Sequence, residues 1–229
     1  MTEESKAVEE VAKTTGQAIE AAREAGGFIA KYIAGPLEQG IGIFEDRLKY
    51  MRWERQVRYM LKSQEFLRLA GLSAPTRAVP LKLAIPLMQG ATLEEDDFLQ
   101  DRWAALLVNA ANADFRGEVR RSHTVILEQL THLDAQILDA LFALPFEQCQ
   151  HDGIITAQLP TYARVTGERE QEFPLPSEEV VLSLSNLTRL GCIRPMMTWG
   201  GGESYGRVNP TIAGKAFVEA CSAPTPPRR

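Results

Sequence analysis

The side chains able to do chemistry are few, and their spacing argues against most chemistries. His123, His132 and His151 fall in no HExxH or other paired-ligand spacing. The cysteines, Cys149, Cys192 and Cys221, are odd in number and form no CxxC. A zinc site built from a local motif needs such close pairs, so we expect no metal, and the three thiols fit a reducing compartment. His132 reads as a first-turn surface residue. Glu94, Glu95, Asp96, Asp97 and Asp101 form an acidic cluster that could serve as acid/base groups or cation ligands. At a helix start the same run reads as caps and dipole partners, and a third reading docks it on the basic face of a neighbouring helix. Trp199-Gly200-Gly201-Gly202-Glu203-Ser204 is glycine-rich but lacks a GK[ST] ending, and no helix follows directly. A phosphate cradle needs both, so the run reads as a hairpin tip. We assign no catalytic residue and no cofactor, and we expect a protein that is not an enzyme.

Two clusters could instead bind surfaces. Seven basic residues lie between Arg47 and Arg68, against Glu54 and Glu65 alone. At helical spacing Arg47, Arg52, Arg55, Arg58 and Lys62 share one face, with Tyr59 among them, while Tyr50, Trp53, Val57, Met60, Leu61 and Leu67 share the other. That basic face is the candidate for anionic lipid or a nucleic-acid backbone. The second cluster is Phe28, Ile29, Tyr32 and Ile33, beside Lys31 and among Gly26, Gly27, Gly35, Gly40 and Gly42. Glycine hinges suit an apolar segment that swings out to a membrane or a partner; packing on the bundle is the plainer alternative.

The elements that must position these residues are mostly helical. Residues 5–33 repeat apolar side chains at helical spacing, with alanine dominating; such a face suits close helix approach and self-association. A second helical region covers 37–70 and ends at Gly71, a C-cap. Leu81–Gly90 reads as a short helix that Pro86 should kink or shorten. Thr92 and Glu95 read as a capping box opening a helix that runs to about Ala111.

From Val119 the pattern changes. Helices are expected over Val119–Leu130 and from Thr131, with Thr131 as cap and an acid at Asp134, ending at Pro145. Gly153–Thr156 is a candidate strand, and 160–176 a polar loop. Ser177 caps a helix over 177–190 with Val181, Leu184, Leu187 and Leu190 inward. Cys192–Thr198 and Tyr205–Asn209 read as hairpin strands, with Pro195 best placed at a sheet edge, and Ile212–Cys221 as a closing helix. This order is that of a winged helix. The fold class expected is mostly α: an N-terminal amphipathic helix (1–36), a helical bundle (37–116), a winged-helix (α+β) domain (117–222) and a disordered tail (223–229).

With 229 residues, 45% of them hydrophobic, the chain can bury a sizeable core. A formal net charge of −5 argues against a dedicated nucleic-acid binder. The start, Met1-Thr2-Glu3-Glu4-Ser5, has no basic region ahead of an apolar run, and no stretch reaches the ~18 apolar residues of a spanning helix. A cytoplasmic protein is expected, with peripheral membrane contact left open.

Three stretches carry a resemblance. One is Phe44-Glu45-Asp46-Arg47-Leu48-Lys49-Tyr50-Met51-Arg52-Trp53-Glu54. The second runs from Pro80-Leu81-Lys82-Leu83-Ala84-Ile85-Pro86-Leu87-Met88 into Glu94–Ala110. The third joins Leu187–Ile193 to Asn209–Cys221. From about Ala18 to Cys221 the chain resembles the abortive infection alpha family of bacterial phage-defence proteins. The resemblance implies a role in anti-phage immunity and supplies no catalytic residues.

The residues then give the expected mechanism: a sensor or adaptor acting through an anionic membrane surface, a partner defence effector or a phage component. Glu178 and Glu179 open the helix that would read DNA, and Arg189 is its lone cation. Base and phosphate readout wants Arg, Lys, Asn or Gln there, so the winged helix is expected to contact protein. A DNA-binding regulator of a defence operon, using Arg189, Arg194 and Arg207, is the alternative.

Overall fold

The structure, a computed structural model, describes residues 27–28, 31–32, 53–167 and 172–224. The chain divides into two compact units, Met1–Phe115 with Ala223–Arg229, and Arg116–Ser222. The described residues hold eight labelled helices and one small antiparallel sheet.

In the first unit, α1 (Trp53–Leu69), α2 (Leu81–Leu93) and α3 (Asp97–Ala111) pack on one another, and residues 27–28 and 31–32 are helical. Helix α3 is the centre: from Leu99 to Ala111 every side chain except that of Asp101 is buried. A Cβ on Gly90 of α2 would lie 2.3 Å from the Trp103 ring, so only glycine lets these helices approach so closely. Helix α1 ends as expected, with Gly71 at φ +75° and Leu72 N–H donating to the Leu67 carbonyl at 2.9 Å.

Three sequence expectations are corrected here. Pro86 lies inside α2 without ending it, and the helix continues to Leu93; its missing N–H leaves only the carbonyl of exposed Lys82 to be hydrated. Thr92 opens no helix. It sits buried in the last turn of α2, where its hydroxyl donates to the Met88 carbonyl at 2.8 Å. Asp96 is the N-cap of α3 instead, accepting from the N–H groups of Phe98 (2.8 Å) and Leu99 (3.0 Å). On α1 the inward stripe is Tyr59, Ser63, Phe66 and Leu67, whereas Leu61 is 62% exposed. Of the expected apolar face Leu67 is buried and Val57 and Met60 are half-buried, while Tyr59, expected among the cations, is buried as well.

In the second unit, α4 (Arg121–Leu127), α5 (His132–Phe142) and α6 (Phe146–Asp152) precede β1 (Ile154–Ile155) and β2 (Arg164–Val165). Then come α7 (Glu178–Arg189), β3 (Ile193–Met197), β4 (Glu203–Pro210) and α8 (Ile212–Ala220). The sheet order is β2-β1-β4-β3. Pro195 therefore lies on an edge strand, as its missing N–H requires. Helix α5 packs on α7 and α8, and α7 covers β3 and β4.

The α5 start matches its sequence signature: Thr131 Oγ1 accepts from Asp134 N–H at 3.2 Å, and Asp134 accepts from Thr131 N–H at 2.8 Å. Three features were not foreseen. Strand β2 lies in the stretch expected to be loop; α6 follows Pro145 where no helix was expected; and the helix expected over Val119–Leu130 is only Arg121–Leu127. The buried side of α7 is Val180, Ser183, Leu184 and Leu187, with Val181 and Leu190 half-buried, and Ser177 makes no side-chain cap bond.

Candidate functional site

Each cation of the expected basic face that is described has found a carboxylate. Arg55 pairs with Asp97. Arg58 pairs with Asp101 at 2.8 Å and Asp97 at 3.3 Å. Lys62 reaches Asp101 and Glu65, both at 3.2 Å, and lies 5.2 Å from the Phe66 ring centre. These carboxylates hold the Lys62 ammonium's pKa above its ordinary value, although burial, the largest single influence, acts the other way.

Beneath them Gln100, fully buried, links all three helices. Its amide donates to the Ala91 carbonyl at 2.8 Å and the Arg55 carbonyl at 3.2 Å, and accepts from Arg58 at 2.9 Å. The basic face is therefore a junction between α1 and α3. Asp97 and Asp101 supply its acids, while Glu94 and Asp96 stay in the α2–α3 link, where Glu94 accepts from Asp96 N–H at 2.9 Å. Arg47 and Arg52 lie outside the described residues.

Phe28 and Tyr32 are core residues. Their rings stack 4.9 Å apart, Phe28 meets Tyr59 edge-on at 6.1 Å, and the Tyr32 carbonyl accepts from Val79 N–H at 2.8 Å. Contact with a membrane or partner through these two side chains would require them to leave the bundle. Ile29 and Ile33 lie outside the described residues. The hydroxyls of Tyr32, Tyr59 and Ser63 are buried without a hydrogen-bond partner, and burial pushes both tyrosine pKa values up.

In the second unit the cysteines, His123 and Asp134 are buried. Cys149, Cys192 and Cys221 are buried thiols outside any disulfide. Burial, with Asp134 nearby, pushes the Cys192 thiol up to about 12, which leaves it protonated and unreactive at neutral pH. His123 is buried edge-on to Phe217 at 6.0 Å, and burial, reinforced by the Arg120 charge, holds its pKa below the ordinary value. Asp134 accepts from Asn186 at 3.0 Å, tying α5 to α7. No group of three or more His, Cys, Asp or Glu side chains that could hold a metal occurs among the described residues.

What the second unit does expose is apolar. Leu182, on the outward face of α7, is 66% exposed; Met197 at the end of β3 is 61% exposed; and Trp199 at the hairpin tip is fully exposed. Thr198 fastens this tip by donating its N–H to the Gly202 carbonyl at 2.8 Å. Glu203 lies opposite Met197 in register. It accepts from the Tyr205 hydroxyl at 2.6 Å, and that hydroxyl faces Ser185 and Thr188 of α7. The strand end and the outward face of α7 thus border the same tyrosine.

Sequence reasoning named Trp199 only as part of a hairpin tip and passed over Leu182 and Met197. Leu182 carried a signal, since it falls between the inward positions of α7. The cations proposed for DNA are placed otherwise: Arg189 donates to Asn186 at 2.6 Å, and the Arg207 guanidinium stacks on Phe173 at 4.8 Å. Arg194 is exposed. No helix among the described residues is long and apolar enough to cross a membrane.

A family model described as abortive infection alpha matches residues 54–221. The first stretch of the sequence resemblance, Phe44–Glu54, thus lies outside the match but for Glu54, while the other two lie inside it. No curated protein matches, and no solved structure does.

Proposed function

The chain belongs to the abortive infection alpha family, and on that premise we propose that it is a non-catalytic sensor or adaptor in phage defence whose contact surface lies on its second unit. Family membership itself points to abortive infection; the rest is argued from the residues. We read α5, α6, β1, α7 and the β3–β4 hairpin as a winged helix used for protein contact.

The observation that carries this reading is Leu182, held two-thirds exposed at the centre of α7's outward face. An apolar side chain there gains about 1.5–3 kcal/mol from full burial under a partner and nothing from a phosphate. Glu178 and Glu179 on the same exposed helix start disfavour a nucleic-acid backbone. Anionic lipid is less well supported, because Arg55, Arg58 and Lys62 would first have to leave Asp97 and Asp101.

Phage plating on cells expressing Leu182→Asp tests the reading. Protection should be lost while the variant melts like wild type, since an exposed substitution shifts stability by only about 0.5 kcal/mol. Full protection by this variant would overturn it.

A further inference from the structure

We infer that the partner presents a cationic amphipathic segment, and that Leu182 and Met197 receive its apolar side while Glu178, Glu179 and Glu203 receive its charges. The inference rests on the reading of this face as the contact surface and names the chemistry of what binds there. Leu182 and Met197 are both exposed, and Tyr205 links their elements: its hydroxyl bonds Glu203 and reaches Ser185 and Thr188 of α7. Met197 and Glu203 are paired in register, so their side chains leave the same face of the hairpin. The Tyr205 hydroxyl bonds Glu203 and so brings the tyrosine to that carboxylate.

The acids around this apolar strip make no ion pair. Glu178 and Glu179, both exposed, have none with any described residue, and Glu203 receives only the Tyr205 hydroxyl. Described cations of the unit make no ion pair with them: Arg189 is held by Asn186, Arg207 by Phe173 and Lys215 by Glu147, and Arg194 is exposed on β3. A face of exposed apolar side chains and carboxylates that no described cation pairs disfavours anionic lipid and nucleic acid. It is complementary to a helix with leucine-like residues on one side and lysine or arginine on the other.

Two helical peptides of equal length serve as probes, one alternating leucine with lysine at amphipathic spacing, the other leucine with glutamate. Binding to the full chain is followed by anisotropy of a label on the peptide at two salt concentrations. The lysine peptide should bind, weaken as salt rises, and lose on the order of tenfold in affinity on Glu178→Lys/Glu179→Lys. The Glu178→Gln/Glu179→Gln variant, which adds no positive charge to the helix start, should show the same loss in smaller degree. Equal binding of both peptides, no binding of the lysine peptide, or binding indifferent to both double variants would overturn the inference. Plating separates it from the reading beneath it. If Leu182→Asp abolishes protection and Glu178→Lys/Glu179→Lys does not, the contact face stands and the cationic partner falls. If Leu182→Asp protects fully, both fall.

Discussion

Helices α3 and α7 open in the same way and end up with opposite fates. Each places acids in its first turn, Asp97 on α3 and Glu178 and Glu179 on α7, where the helix dipole favours negative charge. Asp97 and, one turn on, Asp101 face the cations of α1 and are bonded to them. Those of α7 are exposed and pair with no cation among the described residues, on the helix that also exposes Leu182. Helical position alone therefore says little about use. What decides it is the element packed opposite: α1 brings a row of cations to α3, and no described residue of the second unit pairs one with the acids of α7.

The largest expected effect falls on the paired side. Gln100→Leu leaves the Ala91 carbonyl buried without its donor and removes the Arg58 contact. Urea unfolding should show a loss of about 2–3 kcal/mol in the first unit; a loss under about 0.5 kcal/mol would mean that the junction is not built on this amide. Next comes Arg58→Met. Its ion pairs are about one-third exposed on the arginine side, so solvent screening limits the cost to about 1 kcal/mol, and wild type should lose a similar amount in high salt. On the unpaired side, Glu178→Gln/Glu179→Gln should cost under about 0.5 kcal/mol, and a larger loss would reveal a cation that holds them.

Tyr59→Phe removes a buried hydroxyl that has no partner. Its melting temperature should equal or exceed that of wild type, and a clear drop would mean that the hydroxyl is satisfied. His123 gives the second unit a pH signature. Its folded pKa lies below the ordinary 6.5, through burial first and the Arg120 charge second. Its contribution to stability is therefore present above about pH 6.5 and lost as pH falls below it, because the unfolded chain takes up the proton more readily. Thermal melts at pH 7.5 and 5.5 should show a smaller acid loss in His123→Gln than in wild type.

Much of the second unit was legible in the sequence because its signals are local. Thr131 with Asp134, the glycine run after Trp199 and Pro195 each act within a few residues of themselves, and each is found in the role expected of it. The first unit misled twice, once through a competing local contact and once through a contact distant in sequence. Thr92 with Glu95 has the spacing of a capping box, yet Thr92 bonds backward to Met88 and Asp96 takes over as cap. Tyr59 among cations looked like a solvated face, yet α3, some forty residues on, turns that side inward. The acidic cluster's docking on the basic face was one of three readings open in the sequence; α1 alone could not select it. Leu182 was passed over because helical periodicity marks what is inside, and an apolar residue on the outer side breaks no helix.

The most direct measurement compares phage plating on cells expressing Leu182→Asp with plating on cells expressing Arg58→Met, at matched levels of folded protein. The account predicts that Leu182→Asp loses protection with its melt unchanged, while Arg58→Met protects in proportion to the protein that stays folded. Lost protection in fully folded Arg58→Met, with wild-type protection by Leu182→Asp, would contradict it and return the function to the basic face.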